Sequence, residues 1–162
     1  MCLMLYMATQ GDQPLKSSAE LNVEEVETSR EAVRSWFSLP IVRFIGAHTG
    51  CSCGFPSVIA EEPVEYFDGM FRDSEDRETD LQSVRSLVTL IREHVAASGE
   101  VQLYPVWDGE EHLEPKGTIE LPVETLDPDT FFFNQQFFYC VVRKATAKAQ
   151  DVGGADRIGS TK

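Results

Sequence analysis

Runs of apolar and polar positions divide the chain into short segments with different periods. Residues 2–8 are apolar at every position, which is typical of a central strand buried on both faces. Residues 41–48 are rich in β-branched and aromatic side chains and predict a second strand. Between these two, residues 9–22 contain Gly, Pro, Ser and Gln without a period, and they predict a surface loop.

Two helices are expected from the helical period and from capping residues. Apolar side chains recur every 3.6 residues from about residue 74 or 79 to residue 97, and Gly99 is suited to end this long helix. The apolar stripe consists of Leu81, Val84, Leu87, Val88, Ile91 and Val95. A capping-box pattern at Thr28 predicts a short helix that Pro40 ends. We expect both helices to cover the same face of a sheet.

The second half of the chain predicts further strands. Residues 101–107 and 118–123 predict a hairpin with a polar loop, and the Phe-rich residues 131–143 predict the last strand. We expect these three strands to be antiparallel. The order of elements predicts an α+β domain, a mostly antiparallel sheet of about five strands with one long and one short helix packed on it. This single domain is predicted to span residues 1–143, followed by a disordered C-terminal tail at 144–162.

Composition narrows the class of protein and its partners. The chain has 162 residues, of which 42% are hydrophobic, and this is enough for one core without a metal or a disulfide. The net charge of -13 disfavours nucleic acids and anionic membrane surfaces as partners. The start of the chain lacks a basic region and a signal-peptide core. We therefore predict a soluble cytoplasmic protein whose four cysteines are reduced.

The densest group of metal-ligating side chains follows the second strand. His48, Cys51 and Cys53 lie within six residues, among small glycines that let the backbone fold tightly. If the first two strands pair antiparallel, Cys2 lies beside this segment. Thiolate and imidazole together are typical ligands of zinc. The sequence thus predicts a zinc site with Cys2, His48, Cys51 and Cys53 as ligands. The alternative of plain structural thiols stays open, because Cys-x-Cys is tighter than the usual zinc knuckle and a second knuckle is missing.

Two further functional hypotheses stay open on the same residues. In a thiol-dependent enzyme or redox protein, Cys51 or Cys53 would be the nucleophile and His48 the base. If the initiator methionine were removed, Cys2 would be an N-terminal residue and could also be a nucleophile. In its Met-Cys opening the chain resembles class II glutamine amidotransferases and the SOS-response-associated peptidases. The other hypothesis is an acidic binding or assembly module, including a homodimer formed through the strand at 131–143. The sequence identifies no small-molecule substrate.

The chain also resembles a group of short bacterial proteins of unassigned function. The features that carry this resemblance are the Met-Cys start, the His-x-Gly-Cys-x-Cys-Gly-Phe pattern at 48–55 and the closing Phe-rich strand. The resemblance runs from residue 1 to about residue 143. It implies a shared domain, and it implies neither an activity nor a catalytic residue.

Overall fold

The structure is a computed structural model. It describes residues 2–11, 16–55, 74–129 and 134–144. Residues 131–133, which belong to the predicted last strand, lie outside the described residues, and so do residues 145–162 of the predicted tail.

Six strands form one sheet. They are β1 (Leu3–Thr9), β2 (Leu21–Glu25), β3 (Ile41–Ala47), β4 (Glu100–Trp107), β5 (Gly117–Pro122) and β6 (Phe137–Val142). Their order in the sheet is β2-β3-β1-β4-β6-β5, and all neighbours are antiparallel except β5 and β6. The predicted α+β class is confirmed, with six strands instead of five. The additional strand is β2, an edge strand whose exposed glutamates hide the alternation that sequence patterns detect.

The central strand is β1, as its uniformly apolar sequence predicts. All seven of its residues are buried. It pairs with β3 on one side and β4 on the other, with Leu5 opposite Ile45 and Pro105. Because β1 and β3 are antiparallel, the start of β1 lies beside the end of β3. This register places Cys2 next to the segment that follows β3.

The two faces of the sheet are covered by different helices. The long helix α1 (Ser74–Ser98) packs five residues of its predicted apolar stripe, all but Leu81, into the same core as Leu5 on one face. A 3₁₀ helix (Thr28–Trp36) covers the other face, where Val33 is buried with Tyr6. The expectation that both helices share one face is wrong, because consecutive β1 side chains point to opposite faces and both sets are apolar.

The predicted hairpin of β4 and β5 does not form. Instead β6 lies between them, antiparallel to β4 and parallel to β5. Parallel neighbours need a long crossover connection, and residues 123–136 provide it. Leu126 in this connection is buried in the core beneath α1. Within the described part of the predicted last strand, residues 134–136 lie outside the strand and include a turn, and β6 begins at Phe137.

No helix within the described ranges combines the length and the apolar character that a membrane span requires.

Candidate metal centre

Residues 48–54, called here the cysteine loop, turn the chain back at the end of β3. The amide of Gly50 donates to the carbonyl oxygen of Ala47 at 2.9 Å, and the amide of Ala47 donates to the carbonyl oxygen of Cys51 at 3.0 Å. A single 3₁₀ turn (Ser52–Gly54) follows. These bonds close the loop over the strand end and direct it toward the start of β1.

Ser52 attaches the cysteine loop to the sheet. Its side chain is fully buried. The hydroxyl accepts a hydrogen bond from the amide of Leu5 and donates one to the carbonyl oxygen of Ile45, both at 2.8 Å. Because Leu5 and Ile45 are opposite each other in the β1–β3 register, the hydroxyl joins the two strands directly. The residue between the two loop cysteines is thus a structural anchor.

Two glycines allow the close approach of backbone segments in this loop. A Cβ atom on Gly46 would lie 2.6 Å from the carbonyl oxygen of Gly50, and one on Gly54 would lie 2.5 Å from the Cβ of Ala47. Neither distance is sterically acceptable. Any larger residue at these positions would move the loop and the cysteines it carries.

Three cysteine sulfurs come together at this point. The Sγ atoms of Cys2, Cys51 and Cys53 all lie within 4.8 Å of one another, close enough to hold a metal ion. We call these three atoms the sulfur group. For comparison, zinc–sulfur bonds of about 2.3 Å in a tetrahedral site separate sulfurs by about 3.8 Å. The approach of Cys2 to the loop, predicted from antiparallel pairing of the first two strands, is confirmed.

Backbone amides point at two of the sulfurs. The amide of Leu3 donates to Cys53 Sγ at 3.4 Å, and the amide of Cys53 donates to Cys51 Sγ at 3.3 Å. Such donors stabilise thiolates and orient them, as do the outer-shell hydrogen bonds of metal sites. The arrangement therefore contains both the ligand atoms and part of their supporting hydrogen bonds.

Burial and crowding affect the Cys51 thiol most. Burial, a hydrogen bond with Cys53 and repulsion from the charges of Cys53 and Cys2 raise the pKa of Cys51 to about 12. A thiol with such a pKa is almost entirely protonated at neutral pH and is a poor nucleophile. A bound cation would compensate the negative charge that three thiolates concentrate here.

His48 lies against α1 instead of joining the sulfur group. Its Nδ1 atom lies 3.2 Å from the hydroxyl oxygen of Ser83 and 3.7 Å from a carboxylate oxygen of Asp80. Its amide also donates to the Ser83 hydroxyl at 3.3 Å. Ser83 and Asp80 are buried on α1. The structure thus brings together three of the four predicted ligands, and it uses the fourth to attach the cysteine loop to the helix.

A cavity of about 210 Å³ adjoins the sulfur group on the face covered by the 3₁₀ helix. Cys2 and Cys51 line one end, and Met4 and Phe44 provide apolar walls. Charged residues also line it, namely Glu24, Glu25, Glu27, Arg30 and Asp108. The sequence offered no sign of this cavity, because its lining comes from segments that are far apart in the chain.

A partly buried polar network supports the cavity. Arg30 lies between Asp108, which accepts from its Nε at 3.1 Å, and the buried Glu111, whose carboxylate oxygen is 3.5 Å away. Tyr6 donates to the same Glu111 oxygen at 3.0 Å, and burial together with this carboxylate raises the Tyr6 pKa. The amide of Asp108 also donates to the carbonyl oxygen of Cys2 at 2.9 Å. The network therefore fixes the segment that positions Cys2.

Comparison of the chain with protein-family models, with curated proteins and with solved structures finds no match.

Proposed function

We propose that this protein binds a soft divalent metal ion, zinc under cellular conditions, through the thiolates of Cys2, Cys51 and Cys53. The observation that supports the proposal is the approach of three sulfurs within 4.8 Å of one another from two distant parts of the chain. Zinc is the usual metal of thiolate-rich sites, because it accepts soft ligands and tetrahedral geometry.

The site favours an accessible metal over a closed structural one. Structural zinc sites have four protein ligands, whereas three protein ligands leave one position for an external ligand. Cys2 and Cys53 are exposed, so solvent and small molecules can reach the ion. An apolar core on each face of the sheet stabilises the fold without a metal. Only reduced cysteines serve as metal ligands, so we also expect the protein in a reducing compartment, the cytoplasm.

The thiol-enzyme hypothesis finds less support in the same geometry. It requires an activated thiol, and Cys51, one of its two candidate nucleophiles, is instead half-buried with a raised pKa. It also requires His48 as a base beside a thiol, but neither ring nitrogen of His48 belongs to the group of atoms within 4.8 Å of one another that the three sulfurs form. Metal binding requires only that the three sulfurs lie close together, and they lie within 4.8 Å of one another.

Metal content and cobalt spectroscopy test the proposal. Protein purified in reducing buffer without added metal is expected to contain about one equivalent of zinc, and Co²⁺ substitution is expected to give intense thiolate-to-cobalt charge-transfer bands. We expect Cys51→Ser to weaken Co²⁺ binding at least about tenfold, since loss of a ligand exceeds the loss of an outer-shell partner.

The matched control is Cys140→Ser. Cys140 is a half-buried thiol on β6 that does not belong to the sulfur group. This variant is expected to bind Co²⁺ like the wild type. Zinc content below about a tenth of an equivalent, together with equal Co²⁺ affinities for both variants and the wild type, would contradict the proposal.

A further inference from the structure

The cavity beside the sulfur group has the features of a small-ligand site. It combines apolar walls at Met4 and Phe44 with a charged rim, and Cys2 and Cys51 line one end. Small-molecule sites are typically concave and apolar with a few polar groups that fix orientation. A ligand in this cavity would lie next to a metal held by Cys2, Cys51 and Cys53, where the protein leaves a coordination position open.

The charge of the lining defines the class of ligand. Four carboxylates line the cavity against one guanidinium, that of Arg30. This guanidinium already has ion pairs with Glu27 and Asp108. Glu25 pairs with Arg43. Glu24 accepts a hydrogen bond from Asn22, and among the described residues no Lys or Arg lies within ion-pair distance of it. A divalent ion with three thiolates also carries a net negative charge, so an anionic ligand is disfavoured and a cationic one is favoured.

We propose that the cavity binds a small aminothiol, or a similar organic cation that carries a soft metal ligand. This inference rests on the proposed metal site. The ammonium group lies among the carboxylates of the rim, and the sulfur coordinates the metal as its fourth ligand. On coordination the S–H bond breaks, the sulfur keeps the electron pair to form the metal–sulfur bond, and the proton leaves to solvent. No oxidation or reduction is involved.

Three thiols of similar size and different charge test the inference. They are cysteamine, 2-mercaptoethanol and mercaptoacetate, which carry a positive, a neutral and a negative end group. Each is titrated into the Co²⁺ form of the full chain, and the change in the charge-transfer band reports coordination. We expect affinity to decrease from cysteamine to mercaptoethanol to mercaptoacetate.

The decisive quantity is the ratio of the cysteamine and mercaptoethanol affinities, compared between variants. The thiols also differ in acidity, but that difference is the same for every variant. We expect Glu24→Gln to lower this ratio by about threefold, the size of one partly exposed ion pair. Glu120→Gln is the matched control, because Glu120 is an exposed carboxylate on β5, at the opposite edge of the sheet from β2. The ratio is expected to be unchanged in that variant.

The outcomes separate this inference from the proposed function. If Co²⁺ gives no charge-transfer bands in the wild type, both proposals fail. If the bands form but do not change with any thiol, the metal site stands and the ligand site is refuted. A cysteamine preference that is equal in Glu24→Gln and in the wild type also refutes it, because the carboxylate rim then has no part in recognition.

Discussion

Replacement of Ser52 by alanine is expected to weaken the attachment of the cysteine loop to the sheet. The fully buried hydroxyl is the partner of the Leu5 amide and of the Ile45 carbonyl, at 2.8 Å in each case. Alanine leaves both groups without this partner. Each buried polar group that loses its hydrogen bond costs about 1–3 kcal/mol, so we expect Ser52→Ala, which affects two such groups, to lower the free energy of unfolding by about 2–6 kcal/mol. For a domain of this size the melting temperature would fall by about 2–4 °C for each kcal/mol lost.

Urea unfolding of the metal-free protein in reducing buffer measures this change without a contribution from metal binding. The matched control is Ser35→Ala, because Ser35 is exposed and its hydroxyl donates only to the Ala32 carbonyl oxygen. This control is expected to change the free energy by less than about 0.5 kcal/mol. Equal effects of the two substitutions would refute the assignment of Ser52 as the link between β1 and β3. A Co²⁺ titration of Ser52→Ala should also show weaker binding, since the residue lies between two of the ligands.

Three further substitutions test other parts of the structure. Gly46→Ala is expected to destabilise the protein by about 1–3 kcal/mol and to weaken Co²⁺ binding, because the new Cβ would lie 2.6 Å from a backbone oxygen of the cysteine loop. Gly11→Ala is its control, with nothing within 4 Å of the added atom, and equal melting temperatures for the two variants would contradict the prediction. Tyr6→Phe removes the hydroxyl that donates to the buried Glu111, so denaturant unfolding should show a loss of about 1–2 kcal/mol, and an unchanged midpoint would refute the role of this bond. Burial lowers the pKa of His94 from its ordinary value of 6.5, so the unfolded state binds more protons and stability should decrease as the pH falls below about 6.5. His94→Gln should show a shallower decrease between about pH 7 and pH 5, and identical slopes would exclude this contribution.

The elements that the sequence predicts well are those with dense local patterns. The apolar run of β1 and the helical stripe of α1 each contain their own signal, and both occur close to the predicted bounds. Strand β2 and the parallel pairing of β5 with β6 were not predicted. Strand β2 is a polar edge strand without a clear apolar alternation. The parallel pairing depends on how the crossover packs beneath the helix, and no local sequence pattern predicts such packing.

The same distinction between local patterns and long-range contacts applies to the candidate site. The approach of Cys2 to the loop follows from strand pairing, since an antiparallel register places the two strand ends together. The position of His48 could not be derived, because it depends on which α1 side chains face the loop. Asp80 and Ser83 provide the partners of the imidazole, and Ser83 is 35 residues further along the chain than His48. The charged cavity depends on several such long-range contacts.

The central place of β1 has a consequence for the synthesis of the protein. Its seven residues are buried on both faces, yet its partners follow much later in the chain, β3 from Ile41 and β4 from Glu100. Until β4 has left the ribosome, one edge of this apolar strand has no native partner. Unpaired apolar strands associate readily with other chains, and distant pairing slows folding. Nascent chains that stop before β4 are therefore expected to depend on chaperones or to aggregate.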